Sequence, residues 1–473
     1  MGRAGKDPRV PRMNPLRELA ERPTKAKVDS VLDRLDTRGV GRRQFVRLAA
    51  GSVAAMAAGG ALAACSSSSS GAASTGATPA ANADSLSGMA AVTDGQIAML
   101  AWAQGNEYPV EWAQGHIGAC NQLGLKSVLL DGQFDAGVQM NQFQQLLTQQ
   151  TTGIVIGAND PGAIPVMASQ TNSQQVFFSN AWNQPPWYTP WDSGDLYDKF
   201  LLPDDYLAVQ KTIDLLAQAI DKKGTIIRVA GIKGATAENL SYAGSIAALK
   251  KYPDIKLAGQ LYGIFQADAS EKVTATLLSK YPDTVGVLAV DDDGALGVVA
   301  AIKAAGKVPG KDIFVVGADA TSGGVKLIKS GEMLATTGST PSYPGFVTVT
   351  SFYDRLHGWK PEQAERTFGW HSTIITKDNV DAYEARYTNL PPAKHFSAVK
   401  MSRVKTPDKW DLQYDAYPIT DLQSIWPLNP KPENYKYPAA YLQAHKDGSF
   451  DRIAKLYAEH YYVKVLDPSP VSS

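Results

Sequence analysis

The chain is poor in the residues on which many chemistries depend. It has two cysteines, Cys65 and Cys120, among 473 residues. That excludes a disulfide scaffold and a cysteine-based zinc cluster. None of the six histidines (His116, His357, His371, His395, His445 and His460) stands in a metal-ligand spacing such as HExxH. No Gly-x-Ser-x-Gly nucleophile elbow occurs either. Neither a metal nor a cofactor is expected. Net charge is missing too: 46 basic side chains cancel 46 acidic ones. Nothing is therefore offered to nucleic acid or to an anionic membrane surface. What is present is a hydrophobic content of 44%, ample for a core, on a length that allows two to four domains.

The first ninety residues read as an address. A polar, Arg- and Pro-rich stretch leads to Arg42-Arg43 with Phe45, then to a weakly apolar run ending at Leu62-Ala63-Ala64-Cys65. The charged segment, moderate apolar segment and small residues make an export signal rather than a spanning helix. The paired arginines resemble a twin-arginine signal. The last four residues resemble a lipobox, in which Cys65 carries the lipid and begins the mature chain. That chain would have 473 − 64 = 409 residues. Met13 is an alternative start, because the segment before the arginines is long. Ser66–Ser70 and the Ala, Gly, Thr and Pro that follow cannot build a core and read as a tether. Cys120 lies in a helical pattern and reads as a buried, inert thiol.

From Gln96 onward strands alternate with helices. The pattern predicts strands at 96–101, 126–130, 153–156 and 175–179, with helices at 109–123, 136–149 and 162–170 between them. A second series opens with a helix at 204–222. It continues with strands at 225–230, 255–262, 285–290, 313–317 and 333–337. Such alternation implies parallel sheets with right-handed crossovers, and two similar series imply two lobes. Trp182 to Trp191 breaks the rhythm with three Trp and three Pro. It reads as a rigid flap packed on the body, with stacking of one of its rings on a ligand as the alternative. After Asp378 the chain is aromatic and Pro-rich, and a last helix is expected from Tyr441 to about Tyr462.

The central stretch is Val285 to Gly306. An apolar strand is followed by Asp291, Asp292 and Asp293, then by a small-residue helix. Open α/β sheets place ligands at such strand ends. Aspartate there also caps the helix.

Four motifs share this arrangement: Asn106-Glu107-Tyr108-Pro109-Val110 with Gly115; Gly157-Ala158-Asn159-Asp160-Pro161; Asp291-Asp292-Asp293-Gly294-Ala295-Leu296-Gly297; and Val315-Val316-Gly317-Ala318-Asp319. In this order Gln96 to about Asp378 resembles the ribose-binding-protein-like solute-binding proteins of sugar ABC transporters. The resemblance implies an α/β type I periplasmic-binding-protein fold, with two Rossmann-like lobes hinged by three crossovers. The expected organisation is a signal at 1–64, a tether at 65–93, and lobe one at 94–203 and 339–366. Lobe two is expected at 204–338 and 367–385, with a C-terminal extension at 386–473 packed on the lobes. Ligand would lie between lobes that close by hinge motion.

The resemblance also implies a site. Asn106 and Tyr108 match first-lobe contacts, Asp160 an acidic contact, and Phe265 an aromatic wall. Asp291 matches an amide that contacts ligand, with Asp292 beside it, and Asp319 matches its acidic partner. Gln104, Asn180, Trp182, Asn239 and Ser339 form a second tier. The family's cleft arginines are missing: their places read Asn180-Ala181 and Glu238-Asn239-Leu240-Ser241. An acidic cleft without a cation suits a neutral sugar or polyol. The expected protein is a monomeric, lipid-anchored extracytoplasmic binding protein that serves an ABC permease with its ATPase subunits. A sensor for a sugar, polyol or amine, docking on a membrane receptor, is the alternative. An enzyme would have to be a carboxylate-only hydrolase. A transcription repressor of the same fold is opposed by the export signal and the missing basic helix pair.

Overall fold

A computed structural model describes residues 95–149 and 151–466. The signal, the tether, Cys65 and the last residues expected in the extension lie outside the described residues.

Two sheets carry the molecule. The first contains β1 (Gln96–Ala101), β2 (Lys126–Asp131), β3 (Gly153–Ile156), β4 (Phe177–Ala181) and β5 (Tyr197–Pro203). The second contains β6 (Gly224–Ala230), β7 (Ile255–Tyr262), β8 (Thr284–Ala289), β9 (Phe314–Val316) and β10 (Ala335–Gly338). The chain then returns to the first sheet as β11 (Thr367–Trp370), to the second as β12 (Thr373–Thr376), and to the first as β13 (Ala416–Pro418). Strand order is β13-β11-β5-β4-β3-β1-β2 in one sheet and β12-β10-β9-β8-β6-β7 in the other. All pairs are parallel except β10 with β12 and β11 with β13. Parallel strands are covered on both faces, which is why β1 is fully buried from Ile97 to Ala101.

The expected two-lobe α/β architecture is therefore present, with crossovers after β5, β10 and β11, and the extension adds a fourth passage between the sheets, from β12 to β13. Three details differ from expectation. Strand β5 was hidden because Asp198 and Lys199 interrupt its apolar pattern. Both are buried and satisfied: Asp198 accepts from Arg355 at 3.1 Å and Ser351 at 2.7 Å, and Lys199 donates to the Glu365 carbonyl at 3.4 Å. Strand Thr367–Trp370, assigned to lobe two, pairs with β5 in the first sheet, so the third crossover is His371-Ser372. The last helix is two, Ala439–Lys446 and Ser449–Glu459, broken at Gly448, whose φ is 72°.

The return helix Tyr343–Leu356 packs on Glu107–Leu123 so closely that a side chain on Gly115 would overlap the Ser342 backbone. Phe352 stacks on Phe177 at 5.8 Å. Cys120 is buried, and burial pushes its thiol up to about 12.

The extension is built into this core. β13 covers the β11 edge. Trp187 and Trp191, from the Trp-rich loop, pack beneath it: Trp187 lies 5.4 Å from Trp426 and donates to the Asn429 carbonyl, and Trp191 lies 5.3 Å from Tyr441. Asp354 of the return helix accepts from Ser402 and from the Arg403 backbone. Removing the extension would expose the edge of β11 and several large rings, each pair worth about 0.5–1.5 kcal/mol beyond its burial. A chain ending at Asp378 is therefore expected to lose its cooperative thermal transition, as followed by circular dichroism. Retention of a sharp melt would make the extension an appendage.

Candidate functional site

The C-terminal ends of both sheets face a cavity of about 390 Å3 between the lobes. Its two walls differ in chemistry. The first lobe contributes rings: Trp102 after β1, Tyr108 on the following helix, Phe134 after β2 and Trp182 after β4. Three of them, Trp102, Tyr108 and Trp182, brace one another, while Phe134 stands exposed. Trp182 meets Trp102 at 5.1 Å and Tyr108 at 5.4 Å, edge to face, and backs onto Trp370. The second lobe contributes carboxyls: Asp205 at the start of helix Asp205–Ala219, Asp291 after β8 and Asp319 after β9. Phe265 is its one ring, seated where a side chain on Gly231 would overlap it.

Of the residues named from sequence, Asn106, Tyr108, Phe265, Asp291 and Asp319 line the cavity, as do Trp182 and Ser339 of the second tier. Asp160, Asp292, Gln104, Asn180 and Asn239 do not. Asp160 is exposed and caps Pro161–Ala163 through the Gly162 N–H at 2.8 Å. Asp292 is fully buried beneath the wall, accepting from Thr336 Oγ1 at 2.7 Å and the Thr321 N–H at 3.0 Å. It fixes the β9 and β10 ends rather than facing the cavity. Asn180 is buried against Asn183 and Gln184. Asn239 bonds the Gly234 carbonyl.

Sequence reasoning missed Trp102, Asn183, Asp205 and Lys233 as lining residues. Each follows the C-terminal end of a strand, the one signal that could have found them. Lys233 also corrects the expectation of a cleft without a cation, although it stands exposed at the rim. The buried Arg228 is elsewhere. Glu238 holds it in a two-pronged bond of 2.6 and 3.0 Å, and Ser241 adds a third contact.

Phe134, Trp182, Phe265 and Asp319 have φ of 53°, 60°, 59° and 102°, the left-handed region that suits glycine. Such strain persists where the surroundings over-determine a side chain's direction, and it gathers at ligand sites.

The lobes are closed on one another. Asn106 Nδ2 donates to the Phe265 carbonyl at 2.9 Å. Glu107 accepts from the N–H groups of Ser322 at 2.8 Å and Gly323 at 3.3 Å, capping a helix of the other lobe. Asn183 accepts from the Thr236 N–H at 3.1 Å.

Closure desolvates the acidic wall. Burial, with Asp293 nearby, pushes Asp291 up to about 7. Burial, with Asp204 adjacent, pushes Asp205 up to about 8. Asp319 rises well above the carboxylate range through burial and then the field of Asp291. Outside the cavity, burial and Glu107 bring Glu111 to about 8. A wall of this kind accepts hydrogen bonds from hydroxyls, and the rings opposite suit C–H faces.

A family profile described as a periplasmic binding protein domain matches residues 97–360. The ribose import binding protein of Haemophilus influenzae is 28% identical over 269 residues, covering 56% of this chain and 87% of that protein. A xylitol-binding protein of Mycolicibacterium smegmatis is 28% identical over 183 residues, covering 38% of this chain and 50% of that one. The crystal structure of a periplasmic sugar-binding protein from Pseudomonas fluorescens superposes with a TM-score of 0.60 at 17% identity, covering 70% of this chain and 99% of that one. This last likeness bears on the fold alone.

The raised carboxyls make ligand-free stability depend on pH. Between about pH 6.5 and about pH 8 the folded state holds protons that the unfolded carboxylates have already lost, so stability falls as pH rises. His116 and His395, lowered to about 4 by burial, oppose the trend near pH 6.5, where their unfolded imidazoles are still about half protonated, and cease to oppose it by about pH 8. His371, raised by the bond it donates to Asp204, adds to the trend. The melting temperature should drop across the window, and Asp291→Asn should shrink the drop. An equal drop in the variant would contradict the assignment.

Proposed function

The chain belongs to the periplasmic binding protein family, in its ribose-binding-protein-like branch, whose members are transport-associated binding proteins and not enzymes, and from that premise we propose that it captures a neutral sugar or polyol outside the cytoplasm for an ABC importer. The observation that carries this reading is the enclosed cavity with rings on one wall and carboxyls on the other. A sugar offers both complements, hydroxyl donors at its edge and C–H groups on its faces. A ribose-binding relative and a xylitol-binding relative support the ligand class. An anionic ligand finds only the exposed Lys233 among the lining residues.

In this reading Asn106, Tyr108, Phe265, Asp291 and Asp319 contact ligand, and Trp182 and Ser339 complete the enclosure. Tyr108 already meets Ser339 at 3.2 Å, which orients its hydroxyl. The closed form is the one a permease with its ATPase subunits reads, so ligand affinity and docking are coupled through closure. The Leu62-Ala63-Ala64-Cys65 segment supports export and lipid anchoring through Cys65.

Thermal-shift screening of the mature chain against sugars, polyols and sugar phosphates tests this directly. A ligand at a hundred times its Kd adds about 2.7 kcal/mol of stability, a shift easily read. Neutral sugars or polyols should raise the melting temperature. Asp319→Ala should cost binding about 1.5–3 kcal/mol while the ligand-free protein stays folded. Selective tight binding of a sugar phosphate, or unchanged binding by the Asp319 variant, would refute the assignment.

A further inference from the structure

We propose that Asp205, at the hinge end of the cleft, is a third ligand-binding carboxyl beside Asp291 and Asp319, and that it selects ligands presenting a hydroxyl toward the first crossover. The proposal rests on the sugar or polyol reading and narrows it. The ligand must offer donors at three points along one edge, with its C–H surface against the rings opposite.

Helix geometry sets the direction of the side chain. Asp205, Val209 and Thr212 stand at i, i+4 and i+7 of helix Asp205–Ala219, and all three line the cavity. The face carrying Asp205 is thus the face turned to the ligand. Structural duty falls on its neighbour instead. Both Asp204 oxygens are occupied, by His371 Nδ1 at 2.9 Å and the Ser372 N–H at 2.7 Å. Asp205 has no such role: among the described residues no hydrogen bond or ion pair reaches its carboxyl, and it does not cap its helix. A half-buried carboxyl without a partner costs stability unless something outside the chain completes it. Its field reaches both Tyr108 and Asp319, which places it within the same constellation. The raised titration of Asp205 agrees with a group desolvated and left open for a donor.

The test is Asp205→Asn, titrated by calorimetry against the best sugar or polyol and its series of single-deoxy analogues. Wild type should discriminate against the analogue lacking the hinge-side hydroxyl. In the variant the parent ligand should bind about tenfold or more weakly, and discrimination at that position should vanish. The ligand-free variant should melt at the same temperature or higher, because a carboxyl kept for a ligand is not optimised for stability. An unchanged Kd overturns the proposal. So does a lower ligand-free melting temperature accompanied by equal weakening toward every analogue, which marks a structural residue. If wild type answers no sugar or polyol, the parent reading fails, and the ligand-free melt still decides Asp205: a rise supports an unpartnered ligand carboxyl, a fall refutes it.

Discussion

The Asp204 junction is the constraint on which the arrangement depends. Its backbone N–H bonds the Trp370 carbonyl at 3.0 Å, and its carboxylate holds His371 and the Ser372 N–H. The first crossover is thereby fastened to the third. The third is fastened to the second, since Trp370 Nε1 donates to the Ser339 carbonyl at 2.8 Å. Tyr414 of the extension donates to the Gly338 carbonyl at 2.6 Å, and Asp415 accepts from the His371 N–H at 2.8 Å. Chain segments distant in sequence become one hinge block. The strand ends that carry Trp182, Asp291 and Asp319 are aimed from it, and Asp205 grows directly out of it.

A consequence of that geometry is the division of labour between the walls. Rings on the first lobe brace one another at about 5 Å and need no ligand to be stable. The carboxyls of the second lobe are the reverse. They are desolvated by closure and repel one another when charged; Asp291 accepts from the Gly294 N–H at 2.9 Å, while the carboxyls of Asp205 and Asp319 have no hydrogen-bond partner among the described residues. In the proposed reading, donors from the ligand act on the acidic wall, while the wall of rings supplies shape. Buried Asp292 shows the contrast within one triplet. Its neighbour faces the cavity, whereas it is saturated by Thr321 and Thr336 and serves only the scaffold.

Much of this was legible in the sequence, and the exceptions have physical reasons. Strand–helix alternation exposed both parallel sheets, because fully buried strands read as apolar runs. It failed at β5, where a buried Asp198–Arg355 pair of 3.1 Å puts charge into a core strand. Asp291 was visible as an aspartate at the end of a buried strand, and Asp319 as part of the Val315–Asp319 motif that carries the family resemblance. Asp160 shows the limit of that signal, since the same residue type at the same kind of position does no more than cap a turn. Asp205 and Lys233 carried only the weaker signal of following a strand end, because which residue there faces the cavity depends on how a crossover or loop is aimed. Trp187 and Trp191 are placed by their partners in the extension, some hundreds of residues onward.

The closed state can be weighed against its own contacts. The interlobe bonds made by Asn106, Glu107 and Asn183 replace bonds to water, so each contributes only about 0.5–1.5 kcal/mol, somewhat more where Glu107 is charged. Against them stands the desolvation of Asp205, Asp291 and Asp319, which opening would relieve. The two sets of terms are opposite in sign. To the extent that they offset one another, the ligand's contribution decides the population. Donors that satisfy the acidic wall remove the main opposing term as well as adding bonds of their own. The hinge block supplies the remaining requirement, because with the crossovers fastened together the lobes have few alternative paths, and satisfying the carboxyls translates into closure rather than into local rearrangement.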